Sequence, residues 1–288
     1  MGQQWSILLA IVQIIQSLRV VTNPTLEAIA RAQEEAEERL RRGVQSVGLP
    51  TPEEVATAKA RVQHQDRLFH FAIAGVAGSG KSSLVNALRG LRNSDSGAAP
   101  TGVVETTTTI VPYRDSNHRL PFVWYDIPGA GTLSQPGWQY FNNRGLFIFD
   151  CIIVLVGERF TQMDTAILEN CQRFQIPTYI VRSKADVHIR NLMSDMGYDS
   201  DDDDEPQYET MYNAAHQRCI SDSRATVQKN LRDAMIPPQK VYLVSNKVLL
   251  SAVKEHILPK TALDEMGLLK DLLEEACGRR CVALEDRA

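Results

Sequence analysis

The first stretch whose residue types and spacing can do chemistry is Gly75-Val76-Ala77-Gly78-Ser79-Gly80-Lys81-Ser82. It has the form G-x-x-x-x-G-K-[ST]. Its glycines let a backbone wrap an anion without Cβ clashes. An apolar run at 68–74 reads as a buried strand before it, and 83–88 reads as a helix after it. In a strand–loop–helix setting, backbone N–H groups from Gly75, Gly78, Ser79 and Gly80 through Lys81, Ser82 and Ser83 face a phosphate. Lys81 then reaches the β- and γ-phosphates, and the Ser82 hydroxyl holds Mg²⁺.

A phosphate loop alone leaves the base open. Phe122-Val123-Trp124-Tyr125 is a second apolar strand, ending in Asp126-Ile127-Pro128-Gly129. An acid at that strand end acts on Mg²⁺ through water, and the Gly129 N–H senses the γ-phosphate. Apolar runs at 151–156 and 178–181 read as further strands. The second of these ends in Arg182-Ser183-Lys184-Ala185-Asp186, similar to the [NT]-K-x-D guanine element of GTPases. Asp186 can accept from both the guanine N1–H and its exocyclic amine. Adenine lacks that donor pair and would leave the carboxylate unsatisfied. The Lys184 stem covers the base plane, and Ser183, where Asn or Thr is usual, tethers the loop. A fifth strand at 241–244 leads to Ser245-Asn246-Lys247, where backbone amides meet O6 of the base. The ligands expected are therefore GTP and GDP.

Strands that alternate with helices and end in phosphate- and base-reading loops call for an α/β P-loop NTPase domain of the Ras-like GTPase kind. Its sheet is mostly parallel, with helices on both faces. The chain of 288 residues divides into a helical N-terminal extension (1–65), the GTPase domain (66–258) and a short C-terminal helix and tail (259–288). Hydrophobic residues at 43% and charged residues at 23% fit a soluble globular protein. A net charge of −4 without a dense Lys/Arg cluster argues against a nucleic-acid partner. Five widely spaced cysteines and no CxxC pair argue against a disulfide framework or a zinc site, and for a reduced, cytoplasmic compartment.

The chain opens Met1-Gly2-Gln3-Gln4-Trp5-Ser6, the acceptor pattern for N-myristoylation on Gly2. Residues 7–21 are almost wholly apolar. They are too short for a span and carry Arg19. They read as a helix with one broad apolar face, packed on the domain or lying in a membrane interface. A Glu/Arg-rich helix over 25–42 comes next. Thr51-Pro52-Glu53-Glu54 then starts another helix, expected to reach about Gln63, with a capping box. Six acids at 199–205 repel one another and read as a solvated loop ahead of a long helix over 207–235.

Taken in order, Gly75–Ser82, Thr101-Gly102-Val103-Val104-Glu105-Thr106-Thr107, Asp126–Gly131, Arg182–Asp186 and Val241–Asn246 resemble the immunity-related (interferon-inducible) GTPases. The resemblance implies a dynamin-like GTPase that self-associates when GTP-bound and cycles on intracellular membranes. Its partners would be copies of itself or related GTPases. It places Thr101 to Thr109 in the first switch, with Glu105 near the γ-phosphate. The run Thr106–Thr109 can equally be an edge strand. Ala130 comes after Gly129, where Ras-like GTPases place a water-orienting Gln, so hydrolysis needs another device: Glu105 or a partner subunit. About forty residues come after Asn246, enough for one closing helix built on Leu263, Leu268, Leu269, Leu272 and Leu273. That shortness motivates an alternative, a truncated and poorly hydrolysing guanine-nucleotide switch that regulates related GTPases.

Overall fold

The computed structural model describes residues 50–102, 109–129, 137–157, 160–198 and 205–285. The first helix, α1 (Pro52–Arg61), is set by its cap: Glu54 N–H donates to Thr51 Oγ1 at 3.2 Å, and Thr51 N–H donates to Glu54 Oε2 at 2.7 Å. Its apolar residues Val55 and Ala58, with Val62 just beyond, fall on one stripe and pack into the core under the sheet. From residue 52 onward, therefore, the stretch that sequence groups with an N-terminal extension belongs to the sheet domain. The expected helices at 7–21 and 25–42, Gly2 and the acids at 199–204 lie outside the described residues.

The chain then runs through β1 (Phe69–Ala74), α2 (Lys81–Leu88), β2 (Val111–Arg114), β3 (Phe122–Asp126) and α3 (Gly137–Arg144). It continues through β4 (Cys151–Val156), α4 (Gln162–Arg173), β5 (Thr178–Arg182), α5 (Ala185–Asp195) and α6 (Glu205–Asp233). It closes with β6 (Val241–Leu243), α7 (Asn246–Leu250) and α8 (Glu265–Glu285). The sheet has six strands in the order β2-β3-β1-β4-β5-β6. All pairs are parallel except β2 with β3.

The five strands expected from apolar runs are present because each is covered on two faces. In β1, Phe69, Phe71 and Ile73 face α2, α7 and α8, while Ala72 and Ala74 face α1 and α3 to α6. In β4, Cys151, Ile153 and Leu155 alternate with Ile152, Val154 and Val156 in the same way. Strand β2 differs: it is half-exposed, antiparallel and placed at the edge. Among the described residues the edge strand is Val111–Arg114; Thr106 to Thr108 lie outside the described residues, and Thr109 sits in a bend. No described helix is long and apolar enough to cross a membrane.

Candidate functional site

The phosphate loop, the Asp126–Gly129 turn and the turns at 182–186 and 245–247 each leave the C-terminal end of a parallel strand, the edge at which open α/β sheets bind ligands. The phosphate loop joins β1, near the middle of the sheet, to α2. Gly75 has φ +144°, and a Cβ on it would lie 2.4 Å from the Leu155 carbonyl oxygen of β4. Only glycine fits there. Gly78 and Gly80 also have positive φ, and Gly80 turns the chain into the first turn of α2. The Ser79 hydroxyl closes the loop by donating to Val76 O at 2.9 Å. Lys81 is buried, and its ammonium donates to Gly75 O at 3.2 Å and Val76 O at 2.9 Å. The cation therefore sits inside the ring of the loop.

Ser82, in the first turn of α2, donates its hydroxyl to Asp126 Oδ2 at 2.5 Å. Asp126 is the last residue of β3, which pairs directly with β1. This pairing brings acid and hydroxyl together across 44 residues of sequence. Gly129 is pressed against the phosphate loop, where a Cβ would stand 2.7 Å from Ala77 N. The turn after Asp126 is thereby held against the loop.

The base-reading turn is tied to the same place. The Ser183 hydroxyl donates to Ser79 O at 3.1 Å. Lys184 adopts φ +60° and lays its ammonium 3.5 Å from Gly78 O, so its stem runs beside the loop. Asp186 opens α5 and stands half-exposed, with Arg190 Nη2 3.6 Å from its Oδ2. Ala185 N–H donates to Val244 O at 3.2 Å, drawing the Ser245–Asn246 turn alongside. Thr101 is exposed, and Glu105 lies outside the described residues.

Two supporting residues carry no sequence signal. Asn86 on α2 receives Ala99 N–H at 2.7 Å and donates to Ala99 O at 3.0 Å. It fixes the chain two residues before Thr101. Glu265, at the start of α8, is fully buried and accepts Ser245 N–H at 2.7 Å and Leu263 N–H at 2.6 Å. Burial pushes its carboxyl above the usual range, against the pull of these backbone donors. An acid at a helix start looks like an ordinary dipole-complementing residue, so nothing in the sequence sets it apart.

Two other features lie away from these loops. His64, His70 and Asp150 bring potential ligand atoms within 4.8 Å of one another. The two imidazoles are stacked, 3.8 Å apart and 17° from parallel, so their in-plane lone pairs do not converge on one ion. A cavity of about 660 Å³ between α8, the end of α2 and the sheet is lined by Phe71, Phe122, Trp124 and Leu272 among others. It includes none of the phosphate- or base-reading residues.

The family model for interferon-inducible GTPases (IIGP) matches residues 52–284. Interferon-inducible GTPase 1 of Mus musculus is 31% identical over 193 residues, covering 67% of this chain and 43% of that protein. Interferon-inducible GTPase 5 of Rattus norvegicus is 28% identical over 230 residues, covering 70% of this chain and 45% of that protein. The chain thus spans less than half the length of these relatives. Among solved structures, the FeoB G-domain of Methanococcus jannaschii aligns with 14% identity and a TM-score of 0.36, covering 73% of this chain and 97% of that one. With a mostly parallel sheet, a glycine phosphate loop and a family model that matches from α1 to the last turn of α8, the chain belongs to the interferon-inducible GTPase family.

Proposed function

We propose that the chain binds GTP with Mg²⁺ and hydrolyses it to GDP and phosphate. The observation that carries this reading is the hydrogen bond from Ser183 to Ser79 O, which fastens the base-reading turn to the phosphate loop. A ligand spanning that seam must present a phosphate chain on one side and a purine on the other. Lys81 and the loop amides hold the phosphates, and Asp186 accepts from the guanine edge.

Ser82 and Asp126 are hard oxygen donors side by side, a set that suits Mg²⁺. When bound, the ion offsets the charge on the β- and γ-phosphate oxygens. Water attacks the γ-phosphorus as the bond to the β–γ bridging oxygen breaks; that oxygen keeps the electron pair as part of GDP, one water proton stays on the new phosphate and the other is released to solvent. On the family resemblance, Glu105 positions that water. Ala130 provides no side chain for the task, so turnover by an isolated chain is slow and self-association in the GTP state raises it. Gly2 with its M-G-x-x-x-[ST] context, together with 7–21, supports a two-part anchor on intracellular membranes. A Gly2→Ala variant that fractionates with membranes as wild type does would remove the lipid from this account.

The test is phosphate release from GTP and from ATP across a protein concentration series, with Lys81→Ala as the control. GTP-selective turnover whose specific activity rises with concentration supports the proposal. Tight guanine-nucleotide binding with flat, negligible turnover selects the regulatory switch instead. Preference for ATP overturns the role of Asp186.

A further inference from the structure

The turn after β6 has little to hold it by itself. It is a short link between a three-residue strand and α7, a helix of five residues. Its Ser245 N–H is taken up by Glu265 Oε1 at 2.7 Å. The other carboxylate oxygen of Glu265 accepts Leu263 N–H at 2.6 Å. The neighbouring Asp264 accepts Leu243 N–H at 2.9 Å and two contacts from Arg224 Nη2 at 2.9 Å, while its own N–H donates to Leu243 O at 3.1 Å. The start of α8 therefore grips the end of β6 at two successive residues. Val244 is in turn joined to the other base-reading turn, through Val244 N–H to Arg182 O at 2.9 Å and Ala185 N–H to Val244 O.

An acid buried to zero exposure is costly unless its oxygens are used. Here both oxygens are used on backbone donors, and one of those donors belongs to the turn expected to meet O6 of the base. With Ser245 N–H held from behind, the Asn246 and Lys247 N–H groups, free of intrahelical partners at a helix start, remain to face the ligand. The hydroxyl oxygen of Ser245 and Oδ1 of Asn246 are buried without a hydrogen-bond partner among the described residues, so the same turn is polar and unfinished.

We propose that Glu265 is a positioning residue for guanine recognition: by anchoring the Ser245 N–H it fixes the 245–247 turn so that backbone amides meet O6. The proposal rests on the guanine-nucleotide reading above and makes the O6 contact of the turn's backbone amides depend on a residue of α8 that itself touches no part of the ligand. Replacing it releases a buried donor and loosens one edge of the base without touching Asp186.

The experiment measures affinities of the full chain for GDP, for IDP, which lacks the 2-amine, for 6-thio-GDP, in which sulfur replaces O6, and for ADP. Glu265→Gln keeps the volume and one acceptor but turns an amide NH₂ toward a backbone N–H. We expect GDP affinity to fall roughly tenfold or more. The preference for GDP over 6-thio-GDP should largely vanish, while the preference for GDP over IDP, set by Asp186, persists. An equal loss for all guanine and hypoxanthine nucleotides, with both preferences intact, means that Glu265 only supports the fold and overturns the proposal. Wild type that binds ADP as tightly as GDP overturns the guanine reading and this proposal with it. A second measurement avoids variants: hydrogen exchange in the nucleotide-free wild type. The Ser245 amide should exchange slowly, near the rate of the β6 core. Fast exchange there overturns the anchor.

Discussion

The hydroxyl of Ser82 lies 2.5 Å from Oδ2 of Asp126, joining the first turn of α2 to the last residue of β3. The contact exists because β1 and β3 are parallel neighbours, so the helix entered from one strand meets the end of the other. Removing the hydroxyl takes away one of two adjacent hard oxygens. Ser82→Ala is expected to cut GTP turnover at least tenfold and to abolish most of the gain in GTP affinity that Mg²⁺ provides over EDTA. Titration of nucleotide with and without the metal checks this. A variant whose affinity still responds to Mg²⁺ as wild type does would remove Ser82 from the metal site.

The glycines of the loop are predicted to differ sharply from one another. Gly75→Ala would drive a Cβ to 2.4 Å from the Leu155 carbonyl, in the middle of the sheet. We expect a loss of about 3 kcal/mol and a fall in Tm of roughly 5–10 °C. Gly78 has positive φ but nothing within 4 Å, so Gly78→Ala carries only the conformational penalty, about 1–2 kcal/mol. Thermal unfolding of the two variants side by side decides the matter, and equal losses would refute the steric argument.

Asp186 and Arg190 separate recognition from surface pairing. The ion pair is long at 3.6 Å, and its side chains are 42% and 71% exposed, so it is worth well under about 1 kcal/mol. Arg190→Ala should change GDP affinity less than about fivefold. Asp186→Ala loses both acceptors for the guanine edge and should cost roughly a hundredfold or more. Calorimetric titration of both variants with GDP gives the comparison.

The stacked histidines set a pH dependence at the opposite edge of the sheet. Burial, with His70 and Lys59 nearby, holds His64 down to about 3. Burial, opposed by the hydrogen bond with Gln65, holds His70 down to about 4. The unfolded chain protonates both near pH 6.5. Between pH 6.5 and 4 the unfolded chain binds more protons than the folded one, so stability is full above pH 6.5 and drains as pH falls. Each histidine contributes up to about 1.4 kcal/mol per pH unit in that window. His64→Phe keeps an aromatic ring on His70 and removes one proton from the balance. Its stability-against-pH slope should be shallower by about that amount in denaturant titrations at pH 4.5 to 6.5.

Burial decides how much of the fold is legible in the sequence. β1, β3 and β4 are covered on both faces, so they appear as unbroken apolar runs whose limits match the strands nearly to the residue. Val111–Arg114 is half-exposed and contains Pro112, so it carries no such run, and the threonines nearby make the stronger strand signal. The loops proposed to meet phosphate and base are legible because that chemistry demands fixed residue types at fixed spacing. The clamps behind them are not. Asn86 and Glu265 act on backbone atoms 13 and 20 residues away, a distance at which no local spacing rule applies. α1 reads as part of an extension because its charged face dominates its composition, while Val55 and Ala58 suffice to seat it on the core.

The edge strand also bears on assembly. Strand β2 offers little to an incoming strand: Pro112 has no N–H to give, and Arg114 O already accepts Arg89 Nε at 2.8 Å. A four-residue border blunted in this way resists the indiscriminate sheet-to-sheet growth that an open edge invites. The outer side of β2 thus gives a neighbouring strand, from this chain or another, no unbroken run of backbone donors and acceptors to extend.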